Sequence, residues 1–376
     1  MSTLAVLGAS GYTGRLVVAE CVRRGHRPVV IGRDHDRVEA ALAGERRNLD
    51  AEVAEIRTAD VTDGRALRDA LEGVDLVLTT VGPFVALGRG VLDAAIATGT
   101  HYVDCTGEQP FLRWAFGERD TAARAAGVVA VPAAGFDYLP GDLLADLAAG
   151  AVPWPREVHI AYMVRTPGGL PATSAGTRRT VASLLGARGV ALVGGEPVEE
   201  LPGEERRLAW FPRPVGPRHA AGIPGGEPVM VPRHVPDIAT VRTYLALPGW
   251  QAELMQMGSN LTRWGPARRT LRAVLERGTG GPPPDRRAAT RWGCVAEAAG
   301  PEGIARAWAY GHDTYGLTAV AMVAVAEAVL AGEPAPGVLP PASVAPADAL
   351  LDTLADRSDL RWSVARPDPS EAADVD

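Results

Sequence analysis

A glycine-rich turn near the start of the chain restricts the fold more than any other feature of the sequence. The residues Gly8-Ala9-Ser10-Gly11-Tyr12-Thr13-Gly14 follow an apolar run over 4–7 and precede a helix-like stretch over 13–24. Glycines let a backbone turn tightly and approach a pyrophosphate, and the start of the following helix offers unpaired N–H groups. The GxxGxxG spacing and the order of strand, turn and helix therefore predict a dinucleotide site.

The residues after the second predicted strand, 28–31, favour NADP over NAD. Gly32-Arg33-Asp34 lies at the carboxyl end of this strand. An NAD site usually has an acidic residue there to bind the adenosine ribose, whereas an arginine neutralises a 2′-phosphate. The alternative is that Arg33 is a solvated loop residue and that Asp34 binds the ribose. The first interpretation makes NADP(H) the cofactor.

Composition argues against several other classes of protein. The chain of 376 residues has 38 basic and 45 acidic side chains, and its net charge of −7 argues against a general nucleic-acid or membrane-surface role. Three widely spaced cysteines predict neither a disulfide framework nor a metal site. The start does not resemble a signal peptide, and the apolar stretch over 318–330 is too short to span a bilayer. We therefore expect a cytoplasmic protein with no metal, no nucleic-acid partner and no membrane span.

Lysine is absent from the whole sequence. A lysine Schiff base, a lysine general base and the Tyr-x-x-x-Lys pair of short-chain dehydrogenases are therefore excluded. Because that pair protonates a carbonyl oxygen, its absence makes a carbonyl-specific reductase less favoured than a reductase of a conjugated double bond.

Strands and helices continue to alternate beyond the second strand. Further strands are predicted at 52–58, 76–81, 101–105 and 128–133, and helices at 64–71 and 90–98. Such alternation predicts a doubly wound parallel sheet, in which the carboxyl ends of the strands line a ligand crevice. Asp60 then lies beside the adenine, and the Gly82-Pro83-Phe84 turn passes close to the cofactor.

The second half of the chain has a different pattern. Proline and glycine become frequent over 152–236, which predicts short antiparallel strands, two of them at 158–164 and 238–245. A helix is predicted at 177–185, a basic helix with a solvated or interface face at 263–277, a loop at 278–284 and a frayed tail at 361–376. The predicted fold class is thus α/β, an N-terminal Rossmann doubly wound parallel sheet plus a second α+β domain with a mostly antiparallel sheet.

Five motifs occur in an order that is typical of one family. They are GASGYTG, the Gly-Arg after the second strand, Val81-Gly82-Pro83-Phe84, the run over 101–108 and Gly135-Phe136-Asp137-Tyr138-Leu139-Pro140. The chain resembles the saccharopine dehydrogenase-like NADP-binding oxidoreductases, and more narrowly the bacterial branch that includes trans-acting enoyl reductases. With falling specificity the resemblance extends through Ser174-Ala175-Gly176-Thr177 and Val231-Pro232-Arg233 to the helix from Tyr315.

The resemblance implies a domain order and a set of cofactor contacts. An NADP-binding Rossmann domain over 1–135 is followed by an α+β substrate and dimerisation domain over 136–310, a helical segment over 311–363 that packs back on the first domain, and a flexible tail over 364–376. The expected contacts are Gly8, Ser10, Gly11, Tyr12, Thr13 and Gly14 at the phosphates, Arg33 at the 2′-phosphate, Asp60 and Val61 at the adenine, and Gly82, Pro83 and Phe84 at the nicotinamide half.

Three side chains are candidates for moving the proton that accompanies hydride transfer. Tyr138 and Asp137 follow the sixth strand and Glu108 follows the fifth, so neighbouring strand ends can bring all three to the crevice. Each has an alternative role: Tyr138 as a packed aromatic residue, Asp137 as a turn residue, and Glu108 as an anchor for backbone N–H groups.

The resulting hypothesis is an NADPH-dependent reductase that transfers hydride to a conjugated C=C or C=N bond of a small metabolite or acyl intermediate, in specialised or lipid metabolism. The alternatives are an amino-acid-type secondary-amine dehydrogenase and a non-catalytic NADP(H)-binding sensor protein. The expected partner is a small-molecule substrate, either free or tethered to a carrier, and the resemblance also allows a homodimer.

Overall fold

The computed structural model describes residues 2–46, 53, 55–167, 173–184, 187–247, 249–262, 264–275, 280–332 and 334–366. Its strands form two sheets. In chain order they are β1 (Leu4–Leu7), β2 (Val29–Gly32), β3 (Glu55–Thr58), β4 (Leu76–Thr79), β5 (His101–Asp104), β6 (Val129–Val131), β7 (Glu157–Arg165), β8 (Gly189–Val193), β9 (Glu196–Glu200), β10 (Arg206–Trp210), β11 (Pro217–Gly222), β12 (Thr240–Ala246), β13 (Arg291–Gly300), β14 (Gly303–His312), β15 (Gly337–Val338) and β16 (Arg361–Ala365).

Helices flank both sheets. They are α1 (Tyr12–Arg23), α2 (His35–Arg46), α3 (Gly64–Leu71), α4 (Phe84–Thr98), α5 (Gln109–Trp114), α6 (Asp120–Ala125), α7 (Leu139–Gly150), α8 (Ala175–Leu184), α9 (Glu227–Met230), α10 (Gly249–Thr262), α11 (Gly265–Leu275), α12 (Pro284–Ala288), α13 (Thr314–Gly332) and α14 (Ala347–Arg357). The prediction that α4 begins at residue 90 is wrong. It begins at Phe84, because the buried carboxylate of Glu108 accepts hydrogen bonds from the first N–H groups of this helix.

The first sheet is parallel throughout, with the strand order β15-β6-β5-β4-β1-β2-β3. Ala5 of β1 pairs with Val29 of β2 on one side and with Val77 of β4 on the other. The chain order therefore reverses at β1, and the ligand crevice of a doubly wound sheet lies at such a switch point. The predicted Rossmann-type sheet is confirmed.

Apolar side chains cover both faces of this sheet. Leu4 and Val6 of β1 belong to one buried cluster, which includes side chains of α1, α13 and α14. Ala5 and Leu7 belong to a second cluster, which includes side chains of α3, α4 and α5. Successive side chains of a strand point to opposite faces, so an unbroken apolar strand is buried from both sides.

Helix α13 is the most apolar helix that covers the sheet. By length and composition it could cross a membrane, but 61% of its apolar window is buried inside the protein, as in the core helix of a soluble protein. The buried guanidinium of Arg24, the residue that follows α1, binds Glu327 of α13, with 2.5 Å between Nη1 and Oε2. The helix is therefore held to α1 by both packing and an ion pair.

The second sheet is mostly antiparallel, as predicted. Its strand order is β10-β11-β12-β7-β13-β14-β16, and β8 and β9 are attached beside β12. Only the β7–β12 pair is parallel among the described strands of this sheet. Helix α7, which follows the last loop of the crevice, packs on β7, β13 and β14.

The C-terminal part of the chain contributes to both sheets. β15 pairs with β6 of the parallel sheet, and β16 pairs with β14 of the second sheet. The prediction of a frayed tail from residue 361 is wrong for 361–365, because Trp362 and Val364 of β16 pack against the core. Residues 367–376 of that tail lie outside the described residues, and the predicted domain limits stay a prediction.

Candidate active site

The turn between β1 and α1 has the geometry of an anion cradle. Gly8 adopts a left-handed φ of +89°, and a Cβ on Gly14 would lie 2.1 Å from the Gly8 carbonyl oxygen. Helix α1 therefore starts in close contact with the turn. Among the described residues no side chain caps this helix, and its first turn contains no acidic residue. Its first N–H groups and its positive dipole end fit a phosphate.

The loop and the first helical turn contain the six positions that were predicted to bind phosphates. They are Gly8, Ser10, Gly11, Tyr12, Thr13 and Gly14. The side chain of Tyr12 leaves this cradle, since its hydroxyl donates to the Pro282 carbonyl oxygen at 2.7 Å. Only the backbone of Tyr12 can therefore serve a phosphate in this geometry.

The carboxyl ends of β2 and β3 carry the residues predicted to meet the adenosine. Arg33 is exposed, whereas Asp34 accepts a hydrogen bond from the Arg37 backbone N–H at 3.0 Å and so caps α2. Asp60 is also exposed, and hydrogen bonds from Thr62 together with the charge of Arg33 lower its pKa. The carboxylates of Asp34 and Asp60 already accept hydrogen bonds from the protein. An exposed arginine beside them fits the 2′-phosphate of NADP better than the ribose hydroxyl of NAD.

Two predicted cofactor contacts have buried side chains. Val61 lies in the apolar cluster that covers one face of the parallel sheet, and the ring of Phe84 packs against Phe111 with 5.7 Å between centroids. Gly82 and Pro83 precede Phe84 at the end of β4 and are partly exposed. The assignments of all these residues to the cofactor stay predictions, and for Val61 and Phe84 the backbone is the part that can reach it.

Glu108 anchors two neighbouring segments of the crevice. Its Oε1 accepts from the Phe84 N–H at 2.8 Å, and its Oε2 accepts from the Val85 N–H at 2.9 Å. Thr180 of α8 donates its hydroxyl to Oε1 at 2.9 Å. The carboxylate is fully buried and faces hydrogen-bond donors, as the anchoring alternative requires.

Tyr138 connects the β5 loop to the second half of the chain. Its hydroxyl lies 2.7 Å from the Gly107 carbonyl oxygen and 3.2 Å from that of Pro224. Burial raises the pKa of this hydroxyl well above its ordinary value. This geometry matches the packed-aromatic alternative, and a catalytic role for Tyr138 stays a prediction.

Of the three predicted catalytic residues, Asp137 is exposed in the crevice, whereas Glu108 and Tyr138 are buried. A Cβ on Gly107 would lie 2.5 Å from its Oδ2, so the carboxylate rests against the backbone of the β5 loop. Contact with this loop removes water from part of the carboxyl group and raises its pKa to about 6, while the side chain as a whole stays exposed. An exposed carboxyl group that titrates near neutral pH can exchange a proton with solvent and pass it to a ligand.

Residues from the second half of the chain cover the crevice. A Cβ on Gly281 would lie 2.5 Å from the Tyr12 ring, and the Tyr315 ring meets Tyr12 edge-on with 5.1 Å between centroids. The Tyr315 hydroxyl also donates to or accepts from Thr177 at 3.0 Å. The sequence motifs around Ser174 and Tyr315 signalled these residues, but the sequence alone gave them no role in the site.

A buried polar network lies behind the β5 and β6 loops. Glu227 accepts hydrogen bonds from Tyr162 and Thr243, each at 2.7 Å, and burial raises its pKa to about 7. His234 lies 2.8 Å from Asp142, and although burial alone would lower its pKa, Asp142 and Asp146 raise it to about 10. Sequence reasoning did not identify this network, whose members come from β7, β12, α7, α9 and the segment after α9.

Residues 4–131 match the family model of the saccharopine dehydrogenase NADP binding domain. The first third of this chain is therefore similar to the NADP binding domain of saccharopine dehydrogenase. The resemblance inferred from the five motifs is therefore confirmed, and so is NADP(H) as the cofactor of the domain. The uncapped start of α1 and the exposed Arg33 are the features of the structure that fit this cofactor.

Curated relatives match just over a third of the chain. A saccharopine dehydrogenase-like oxidoreductase of Bos taurus is 33% identical over 153 residues, which cover 37% of this chain and 35% of the relative. A Mycobacterium tuberculosis protein, provisionally named as a trans-acting enoyl reductase, is 34% identical over 142 residues, 37% of this chain and 33% of the relative. The chain thus spans about a third of the length of these relatives.

One solved structure has a similar fold over nearly the whole chain. Saccharopine dehydrogenase (L-Glu forming) from Saccharomyces cerevisiae, in its apo form, aligns with a TM-score of 0.59 and 14% sequence identity. The alignment covers 97% of this chain and 100% of the yeast chain. At this identity the likeness shows the fold alone, and it includes the second sheet as well as the NADP-binding domain.

Proposed function

We propose that this protein is an NADPH-dependent reductase that transfers hydride to a conjugated C=C or C=N bond of a small metabolite or acyl intermediate. The observation that carries the proposal is Asp137, an exposed carboxyl group with a pKa of about 6 at the carboxyl edge of an NADP-binding sheet. The name of the Mycobacterium tuberculosis relative supports an enoyl substrate.

The cofactor would be held by the features described above. The N–H groups at the start of α1 would bind the pyrophosphate, and Arg33 would bind the 2′-phosphate. When bound, NADPH supplies the hydride. Gly82 and Pro83 at the end of β4 would border its nicotinamide half, and α8 and Tyr315 would limit the access of water from the opposite side.

Asp137 would supply the proton. Reduction of a C=C or C=N bond adds one hydride and one proton, so the substrate, NADPH and a proton give the saturated product and NADP⁺. Asp137 can donate this proton and recover another from solvent because its side chain is exposed. Glu108 and Tyr138 are bound to backbone groups of the surrounding loops, and we propose that they position these loops.

The test compares Asp137→Asn with Asp69→Asn, a change at an exposed aspartate of α3. Each purified protein is given NADPH with an enoyl thioester or a cyclic imine, and NADPH consumption is followed. We expect kcat of Asp137→Asn to fall by roughly 10²- to 10⁴-fold, the usual contribution of a general acid. The Kd for NADPH should stay unchanged, and Asp69→Asn should behave like the wild type.

The pH dependence gives a second readout. Because the carboxyl group donates only when protonated, kcat of the wild type should fall as pH rises through about 6, and this fall should be lost in Asp137→Asn. An unchanged kcat in Asp137→Asn would contradict the assignment. Reduction of NADP⁺ by an N-alkylated amino acid would favour the amine dehydrogenase instead, and tight NADPH binding without turnover on any of these substrates would favour the sensor.

A further inference from the structure

Helices α10 and α11 carry an unusual concentration of exposed apolar side chains. The two helices pack against each other and form a helical hairpin. Five of the eleven large apolar side chains that are exposed among the described residues lie on it, and we call them the hairpin surface: Met257, Leu261, Trp264, Leu271 and Val274. Met257 is 66% exposed and Trp264 is 64% exposed. Clusters of this kind on a soluble protein usually mark an interaction site.

The spacing of these residues places them on common helix faces. Met257 and Leu261 are four residues apart on α10, and Leu271 and Val274 are three residues apart on α11, so each pair lies on one side of its helix. Trp264 lies in the turn between the two helices, where its backbone N–H donates to the Leu261 carbonyl oxygen at 3.0 Å. The hairpin therefore presents apolar side chains at its tip and along both helices.

The charge of the hairpin is opposite to that of the whole chain. Helices α10 and α11 contain three arginines and one glutamate, whereas the net charge of the protein is −7. Within α11 there is no acidic residue, and both Arg268 and Arg269 are exposed. On a helical projection Arg268 lies beside the face that carries Leu271 and Val274, and Arg269 lies on the opposite, polar face of α11. A basic face next to an apolar face is the pattern of helices that bind at a membrane interface.

We propose that the hairpin surface docks on an anionic phospholipid membrane. Leu261 and Trp264 enter the boundary between headgroups and acyl chains, Arg268 binds lipid phosphates, and Arg269 adds to the electrostatic attraction for anionic lipid. The overall negative charge disfavours general adsorption, so this local basic surface also sets the orientation of the protein on the membrane. The proposal is independent of the proposed reaction.

Two features favour lipid over another protein surface. The apolar side chains protrude from the hairpin, and fluid lipid accommodates protruding side chains of any shape, whereas a protein partner needs a complementary cavity. A symmetric dimer through this surface would place the basic helix α11 of one copy against the same surface of the other, and like charges repel. A second copy is therefore disfavoured by the same residues that favour anionic lipid.

Docking would also bring the crevice near the membrane. Helix α11 packs against α8, and Thr180 of α8 donates a hydrogen bond to Glu108 in the crevice. A docked hairpin thus places α8 and the crevice beside the lipid surface, from which an acyl substrate could be taken up. Only this last consequence depends on the proposed function.

The experiment is flotation of the full chain with vesicles of phosphatidylcholine, with or without phosphatidylglycerol. The wild type should float with the vesicles that contain phosphatidylglycerol and should remain below the vesicles that lack it. The double variant Leu261→Gln/Trp264→Gln and the double variant Arg268→Gln/Arg269→Gln should each bind about tenfold more weakly. Binding should also weaken as salt is raised, because salt screens the arginines.

Matched controls separate docking from general surface effects. Trp154→Gln/Trp210→Gln changes two exposed tryptophans elsewhere, and Arg65→Gln/Arg68→Gln changes two exposed arginines of α3; both should float like the wild type. Failure of the wild type to float, or equal binding by all variants, would overturn the proposal. A stable dimer in solution that dissociates in Leu261→Gln/Trp264→Gln would also overturn it and would assign the surface to a second copy.

Discussion

Replacing Gly14 by alanine tests whether the β1–α1 turn binds the cofactor through its backbone. A Cβ at this position would lie 2.1 Å from the Gly8 carbonyl oxygen and 2.8 Å from the Gly8 carbonyl carbon. Ordinary contacts begin near 3.4 Å, so the helix start and the turn would have to separate by about 1.3 Å. Both atoms belong to the backbone, and no side-chain rotation can relieve the overlap.

This displacement changes the hydrogen bonds of the cradle. The Gly8 carbonyl oxygen accepts from the Gly11 N–H at 2.8 Å, and the Gly8 N–H donates to Ile31 at 2.9 Å. A shift of about 1.3 Å exceeds the tolerance of such bonds, and it moves the N–H groups of α1 away from the pyrophosphate. Because each hydrogen bond to a charged group contributes about 1.5–3 kcal/mol, the loss of two predicts a Kd for NADPH at least about 100-fold higher.

The assay is a fluorescence titration with NADPH, together with thermal unfolding without cofactor to check that the variant folds. Two further glycines give a graded comparison. A Cβ on Gly11 would lie 3.0 Å from the Gly8 carbonyl oxygen, so Gly11→Ala should have a smaller effect, and Gly150→Ala, which meets nothing within 4 Å, should have none. If folded Gly14→Ala bound NADPH within about twofold of the wild type, the phosphate cradle would be wrongly placed.

Three other changes test separate parts of the structure. Arg33→Gln should raise the Kd for NADPH by about 10- to 100-fold and leave the Kd for NADH unchanged. An equal change in Kd for both cofactors would show that Arg33 does not bind the 2′-phosphate. Tyr12→Phe removes the 2.7 Å hydrogen bond to the Pro282 carbonyl oxygen, which contributes about 1 kcal/mol. Amide hydrogen exchange over residues 280–288 should therefore become about fivefold faster. An unchanged exchange rate would show that this hydrogen bond does not hold the segment. In the folded protein burial raises the pKa of Glu227 from its ordinary 4.5 to about 7. Between these two pH values the folded state retains a proton that the unfolded state releases. The free energy of unfolding therefore falls by about 3 kcal/mol as pH rises from about 4.5 to about 7. Glu227→Gln should reduce this fall in urea denaturation, and an identical pH dependence would refute the explanation.

The sequence predicted those strands and helices whose formation depends on residues close together in the chain. An apolar run, a glycine-rich turn and a helix over about twenty residues were enough to place β1 and α1, because each depends on local propensity and periodicity. The positive φ of Gly8 and the close contact at Gly14 are the backbone conditions that the glycine spacing implied. The alternation of strands and helices along the chain was enough to predict which strand ends line the crevice.

Roles that depend on distant partners were not predictable in this way. Glu108 was a candidate acid, yet its oxygens bind N–H groups of Phe84 and Val85, together with the Thr180 hydroxyl, which is 72 residues away. Tyr138 likewise bonds to Gly107 and to Pro224, 86 residues away. Sequence pattern can place such a side chain at a strand end but does not specify which group it meets there.

The sequence by itself therefore predicted the parallel sheet, the glycine-rich turn between β1 and α1, and the arginine at the carboxyl end of β2 as a candidate contact of the cofactor. Each of these rests on residues close together in the chain. The tertiary structure decided that Asp137 is the exposed carboxyl group, that β15 and β16 return to different sheets, and that α10 and α11 leave apolar side chains exposed. Burial, pKa and exposure depend on which atoms surround a side chain, and most of those atoms belong to segments far away in the sequence.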